Sequence, residues 1–531
     1  MRLSRRDFFG MAGGAGLVAA TASLGLLSLG PTASTGTELP SEVPLPQRFS
    51  QPLTVPAIAR PIAGTDEYRL TARAADVEIL PGLPTRIWGY DGRFPGPTIL
   101  ARSGRDVSVT VGNELQVPTV THLHGGRTPA EHDGYPTDLI LPRGTAPDWA
   151  ALRSTRATTV GERNYRYPLR QRASTLWYHD HTMDFTGPNV YRGLAGFFIV
   201  GDEQDDALPL PRDDRDLPLL VCDRSFAADG SFRYPAESPD QATPGVQAAY
   251  MGGVLGDVVL VNGVPWPRHE VDGARYRLRL LNASNARRFE FALDPPPPGG
   301  SPFAQIASDG GLLAAPRARD SVTLASAERA EVIVDFAGYP VGTEVTLVNR
   351  LGSGSTAAVM RFIVARRATD DSSVPDVLSV IEPLDRSQAV STRTFAFQLK
   401  RGSMTAAPGA HTGHRADTDS NDQALMWMVN GEPFDPGRDL ANPRLGDVEI
   451  WRLMTDLHHP VHLHLAPFQV LRRGFDPPGP GDLGWKDTID LLPGQTAEII
   501  MRFDGYPGRY VFHCHNLEHE DMAMMANFSV T

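Results

Sequence analysis

Cys514 stands between His513 and His515, with His519 five residues and Met524 ten residues beyond it. A thiolate, imidazoles and a thioether are the donors of a trigonal copper site: two His, one Cys and a weak axial Met, selected by soft sulfur and by geometry. The run Tyr510-Val511-Phe512-His513-Cys514 reads as a strand, on which side chains alternate between faces. His513 and His515 therefore point together to the face opposite Cys514. A turn after the strand can fold His519 and Met524 back onto a metal held by Cys514, with Met522 and Met525 competing for the axial place. The two flanking histidines are then left to serve something on the other side.

Most of the fifteen histidines fall into four short clusters, and each cluster holds a His-X-His pair: His122/His124, His179/His181, His462/His464 and His513/His515. A spacing of two puts both rings on one face of a strand, within reach of metals a few ångströms apart. One such pair is commonly a surface coincidence, but four, two near each end of the chain, are hard to reach by chance. His459 lies an odd number of residues from His462 and His464, so it faces the other way and joins Cys514 and His519. The sum is a His2Cys site with Met524 as axial donor, and eight histidines for a second centre. Eight imidazoles can supply three metals and leave positions open for a small ligand, which suits copper better than the closed sites typical of structural zinc. Three coppers and one distant copper can hold four electrons, the number needed to take O2 to water.

The elements that must position these residues are strands. Short runs rich in Val, Ile, Leu and Phe alternate with Gly, Pro, Asn and Asp, and long amphipathic helical patterns are scarce, so the chain reads as all-β. Its 531 residues make roughly two to four domains. The expected division is a domain over 65–205 with the first two clusters, one over 206–385, and one over 386–531 with the last two. The middle one holds a single histidine, His269, and reads as a spacer. Residues 401–424 are polar and Gly-rich and read as a flexible surface loop whose His411 and His414 are merely solvated.

At the start of the chain, Ser4-Arg5-Arg6-Asp7-Phe8-Phe9 and the small apolar residues after it have the pattern of a twin-arginine export signal, taken as residues 1–36. A Pro-rich linker over 37–64 follows. This route carries folded proteins, so the expected location is periplasmic, cell-wall or extracellular, with no stable membrane span after signal removal. A net charge of -12 without a basic stripe argues against nucleic acid as a partner. Of the two cysteines, Cys222 lies in an apolar run and reads as a small buried hydrophobe; with Cys514 a ligand, no disulfide forms within the chain.

The four clusters resemble the copper motifs of the multicopper oxidases, more narrowly the bacterial laccase, bilirubin oxidase and phenoxazinone synthase group. Similar stretches include His124-Gly125-Gly126, Asp133-Gly134-Tyr135-Pro136, His179-Asp180-His181-Thr182-Met183, Asn189 to Gly196, Ile306 to Gly311 and Gly484-Trp485-Lys486-Asp487-Thr488. The resemblance covers nearly everything after the export stretch. It implies three consecutive cupredoxin-like Greek-key β-barrel domains, with a copper cluster between the first and third. It implies four copper ions. A type 1 copper would be held by His459, Cys514, His519 and Met524, the family pattern favouring Met524 over Met522 and Met525. A type 2 copper would be held by His122 and His462. A type 3 pair would take His124, His179 and His515 on one ion, and His181, His464 and His513 on the other.

Asp133, nine residues beyond His124, and Glu520, directly after His519, resemble the family's proton donors. Reduction of O2 to water consumes four protons, which gives a carboxylate beside the cluster work as a general acid or relay. Asp180, between two ligands, is expected to point away and fix a local hydrogen bond. The implied activity is one-electron oxidation of phenolic, aminophenolic or similar small-molecule reductants, coupled to four-electron reduction of O2. Two other readings stand beside it. Some members that oxidise cuprous ions in copper tolerance carry a Met-rich insertion above the type 1 copper, whereas residues 401–424 contain only Met404; a cuprous or manganous oxidase is thus the alternative enzyme. Non-catalytic exported cupredoxin-repeat proteins lose copper ligands, whereas this chain has all ten histidines and Cys514. No interface signal fixes the oligomeric state.

Overall fold

The computed structural model describes residues 34–143, 158–238, 241, 243–403 and 423–531. Most of the expected export signal, and residues 404–422 of the expected loop with His411 and His414, lie outside the described residues. Strands dominate, and the α-helices among the described residues are three short ones, Thr186–Arg192, Glu203–Ala207 and Leu517–Asp521. None is long and apolar enough to cross a membrane.

Apart from two two-stranded sheets, the strands form three consecutive pairs of sheets. In the first pair, one sheet runs Leu83–Tyr90, Glu67–Leu80, Val107–Asn113, Glu162–Tyr167, and the other Gly96–Arg102, Ala195–Gly201, Ser174–Asp180, Thr121–His124. The middle pair has seven and five strands between Asp216 and Arg367. The last pair has two five-stranded sheets, one of which runs Asp439–Ala441, Met525–Val530, Gly508–Cys514, His459–Leu463, Thr488–Leu491. Alternation along Val107–Asn113, with Val107, Val109 and Val111 inward and Ser108, Thr110 and Gly112 between them, shows why these sequences form half-buried strands.

Two antiparallel pairings carry the histidine clusters. His122 sits opposite His179 and His124 opposite Trp177 in the first domain. His462 sits opposite His513 and Val461 opposite Cys514 in the last. Cross-strand partners share a face, so the first-domain sheet presents its histidines together, and the last presents His462 and His513 on one side and Cys514 on the other.

Two stretches differ from the sequence reading. Residues 401–403 and 423–424 belong to paired strands, Ala389–Ser403 and Gln423–Val429, and not to a loop. The Pro-rich stretch is seated on the folded body. Thr37–Leu39 pairs in parallel with Val254–Gly256. Beyond it the N–H groups of Phe49, Leu53 and Ala59 donate to the carbonyls of Trp266, Arg268 and Thr98. Proline composition is silent on which edge an extended backbone joins.

The first and middle domains share one apolar core, in which Trp177 and Phe197 pack with residues such as Leu280 and Val332. A buried ionic knot crosses the same boundary. Glu331 takes Arg277 Nε at 2.7 Å, Arg279 Nη1 at 2.9 Å and the Thr175 hydroxyl at 2.7 Å, while Asp205 holds Arg277 Nη2 at 2.8 Å. Removing one member of such a group leaves uncompensated charge in a low dielectric. Glu331→Ala should therefore destabilise the protein by about 3–5 kcal/mol, read as a lower midpoint of urea unfolding; an unchanged midpoint would show the knot to be energetically idle.

Candidate metal centres

On one face of the Gly508–Cys514 strand, three ligand-type atoms form a nearly equilateral triangle. His459 Nδ1 and His519 Nδ1 are 3.1 Å apart, and Cys514 Sγ lies 3.4 and 3.5 Å from them. The point equidistant from all three is about 1.9 Å from each, close to the roughly 2.0–2.3 Å at which a first-row metal binds imidazole nitrogen and thiolate. Each ring is anchored from behind: His459 Nε2 meets Asp456 Oδ1 at 3.1 Å and His519 Nε2 meets the Gly252 carbonyl at 3.1 Å. A carbonyl only accepts, so the His519 proton resides on Nε2 and its Nδ1 lone pair faces inward. Burial pushes the Cys514 thiol well above its ordinary range. A cation in the triangle reverses that preference and takes the thiolate.

Met524 is fully buried in the apolar cluster that contains Cys514, and its backbone is tied to the site. The Cys514 N–H donates to Met524 O at 3.0 Å, and the Met524 N–H to His519 O at 2.9 Å. Met522 is a buried member of the same cluster, whereas Met525 packs with Tyr135, Phe434 and Val511.

On the opposite face, the other eight histidines converge between the first and third domains. Ligand-type atoms lie within 4.8 Å of one another in the sets His124/His179/His515, His181/His464/His513 and His122/His124/His462. All eight rings are buried. Burial pushes His122, His124, His179, His462 and His464 well below the ordinary imidazole range, and His515 down to about 3, so these rings are neutral. Their outer nitrogens are engaged: His122 Nδ1 with Asp133 O at 2.5 Å, His179 Nδ1 with Asp180 O at 2.8 Å, His462 Nδ1 with Asp487 O at 2.8 Å and His464 Nδ1 with Asp133 Oδ2 at 2.7 Å. Among the described residues, the inward Nε2 atoms of His122, His179, His181, His462 and His515 have no hydrogen-bond partner, nor has Nδ1 of His124. His464 Nε2 and His513 Nε2 face each other at 3.3 Å. Their Nδ1 atoms face Asp133 Oδ2 and the Cys514 carbonyl, so two lone pairs oppose each other. Neutral nitrogens collected this way fit cations.

Four acids stand behind the rings or between them. Glu520 lies 3.1 Å from His181 Nδ1 and 3.0 Å from His513 Nδ1. Burial raises its carboxyl, but His513 and His181 together outweigh that and hold it well below its ordinary range. Asp133 is fully buried, and burial pushes it up to about 7 against the opposing pull of His181 and the Thr128 hydroxyl. Gly134, with φ +78°, lets its turn press on the ligand strand, since a Cβ there would fall 2.2 Å from Thr121 O. Asp180 points away from the cluster and accepts from the Val120 N–H, the Thr182 N–H and hydroxyl, and the Asn189 amide.

The fourth acid is Asp487, in the stretch Gly484 to Thr488. Its Oδ1 lies 3.1 Å from His124 Nε2, which turns His124 the opposite way to its neighbours and aims Nδ1 inward. Arg329 grips the same carboxylate bidentately, at 2.7 and 2.5 Å. Arg329 comes from the middle domain, so that domain is more than a spacer. Gly125, at φ +82°, is required here because a Cβ would lie 2.7 Å from both Arg329 Nη2 and Asp487 Oδ2. A cavity of about 530 Å³, lined in part by Gly125, Arg172, Trp485 and Asp487, lies against this pair. Sequence carried no signal for Arg329, whose strand is far from any cluster. Partners that orient a ligand typically carry a 10–100-fold share of metal affinity. Asp487→Asn is thus expected to weaken copper retention by the eight-histidine site about 10–100-fold against a chelator while leaving the three-atom site loaded; equal retention at both would refute the role.

Comparisons with known proteins agree with this geometry. Residues 71–205 and 407–531 each match a family model described as multicopper oxidase. The chain is 34% identical over 544 residues to a laccase of Bacillus subtilis, covering 91% of this chain and 99% of that protein. It is 33% identical over 518 residues to a bilirubin oxidase of Albifimbria verrucaria, covering 91% and 81%. A crystal structure of a laccase from Pediococcus acidilactici superposes with a TM-score of 0.75 at 30% identity, covering 93% of this chain and 95% of that one. Three pairs of sheets, a buried His2Cys triangle and eight converging histidines therefore have one reading: the chain belongs to the multicopper oxidases, a laccase-like copper oxidoreductase that uses O2 and a reducing substrate.

Proposed function

We propose that the protein binds four copper ions in the arrangement implied by its histidine clusters. His459, Cys514, His519 and Met524 would hold a type 1 ion. His122 and His462 hold a type 2 ion, and the sets His124/His179/His515 and His181/His464/His513 hold a type 3 pair. The observation that carries this reading is the inward, unpartnered nitrogens of the buried cluster, which would otherwise cost the full penalty of unsatisfied polar groups. Copper would supply one-electron acceptance at the first site and multi-electron delivery to O2 at the second.

The chain's own residues do the rest. The Gly508–Cys514 strand joins the two centres through adjacent residues, Cys514 on one face and His513 and His515 on the other. Asp133, pushed up to about 7, can take or give a proton beside His464 near neutral pH, and Glu520, between His181 and His513, is the second proton-handling group. The reductant in this reading is a phenol, aminophenol or similar small organic molecule, in line with the similarity to a laccase and a bilirubin oxidase. Export by the twin-arginine route, supported by the paired arginines Arg5 and Arg6, fits a protein that acquires its metal while folding.

Metal analysis after copper loading should give close to four ions per chain, and the protein should be intensely blue. Cys514→Ser should abolish the colour and the uptake of O2 while leaving the fold intact. One or two coppers per chain would sink the trinuclear assignment, and a blue band surviving in Cys514→Ser would sink the other.

A further inference from the structure

His459, Cys514 and His519 are fully buried, so an electron reaches them through the residues packed over them. What covers His519 is Trp427, also fully buried, whose ring stacks on the imidazole with 3.6 Å between centroids and 26° between planes. The same indole stands edge-on to His459 at 5.6 Å. It comes from the strand Gln423–Val429, where alternation sends Met426 and Met428 to the other face.

Two consecutive carbonyls of the middle domain hold the stacked rings in register. Met251 O accepts the Trp427 indole N–H at 3.1 Å, and Gly252 O accepts His519 Nε2–H at 3.1 Å and the Asn516 amide at 3.0 Å. Half-buried Tyr250, Met251, Leu425 and Leu457 pack against the same apolar cluster as Trp427. A ligand ring fixed by an outer hydrogen bond and by a stacked face has neither its tautomer nor its plane left free.

We propose that Trp427 is the positioning residue on the electron-entry side of the type 1 centre. With the Met251 and Gly252 carbonyls it fixes the plane of His519, and its indole is the bridge that electrons cross from the reductant. The proposal rests on the type 1 assignment of His519. Each phenol that gives up one electron also releases its O–H proton and leaves as a radical. The electron crosses the indole without oxidising it, and four such transfers with four protons balance one O2 taken to two waters. A bridge of this kind affects all organic donors alike, whatever their bulk.

The test compares Trp427→Leu and Trp427→Phe in the copper-loaded full-length protein. The readouts are the EPR signature and reduction potential of the blue centre, and its anaerobic bleaching by a small and a bulky phenol. The Leu variant should alter the EPR signature and the potential and slow bleaching by both phenols about tenfold or more. The Phe variant, which keeps a flat ring against His519, should restore most of the rate. If the Leu variant does not fold, Trp427→Met fills more of the space without a flat ring and is read the same way. A Leu or Met variant with unchanged EPR signature and bleaching overturns the proposal. So does one that merely speeds the bulky phenol, since Trp427 would then be a pocket wall. A wild-type protein without a blue band would instead overturn the type 1 assignment itself.

Discussion

The structure depends on lone pairs held facing one another in a dry space. Neutral imidazole nitrogens do not gather of their own accord: each is polar, each is buried, and several have no donor to meet. What keeps them converged is a ring of outer hydrogen bonds, from Asp133 and Asp180 on the first domain to Asp487 and the Cys514 carbonyl on the third, that fixes which nitrogen carries the proton. Such an arrangement is stable when cations occupy it, because ligand nitrogen and proton compete for the same lone pair.

The rest of the fold can be understood as the frame for that constraint. Strand alternation sends Cys514 to one centre and its neighbours to the other without any loop having to choose between them. The cluster closes only where the Thr121–His124 and Ser174–Asp180 strands of the first domain meet the His459–Leu463 and Gly508–Cys514 strands of the third. The middle domain holds the outer ones in place while touching both centres. Arg329 grips Asp487 behind the eight-histidine site, and the Gly252 carbonyl orients His519 at the three-atom site. Lys486, one of the chain's two lysines, is buried between Asp309 and Glu328 and ties the third domain to the middle one at the same place.

Much of this was legible in the residues because alternation is a local rule. His513, Cys514 and His515 declare their faces from their numbers, and His459 separates from His462 by the same parity, even with Pro460 between them. All-β character was readable too, since runs such as Val107 to Val111 alternate cleanly. What could not be read came from long-range packing. Arg329 and the Gly252 carbonyl reach the centres through sheet and loop contacts that no spacing encodes. Nothing in the sequence sets Trp427 apart from its strand neighbours Met426 and Met428. The Pro-rich stretch after residue 36 announced extended backbone, but its docking depends on partner edges near residues 254 and 266, and composition does not report edges.

The most direct test of the account is an anomalous difference map at the copper edge from crystals of the copper-loaded protein. It should show four peaks. One should lie among His459 Nδ1, Cys514 Sγ and His519 Nδ1, and three should lie within the ring of His122, His124, His179, His181, His462, His464, His513 and His515. Peaks elsewhere, or an eight-histidine site holding a single ion, would contradict it.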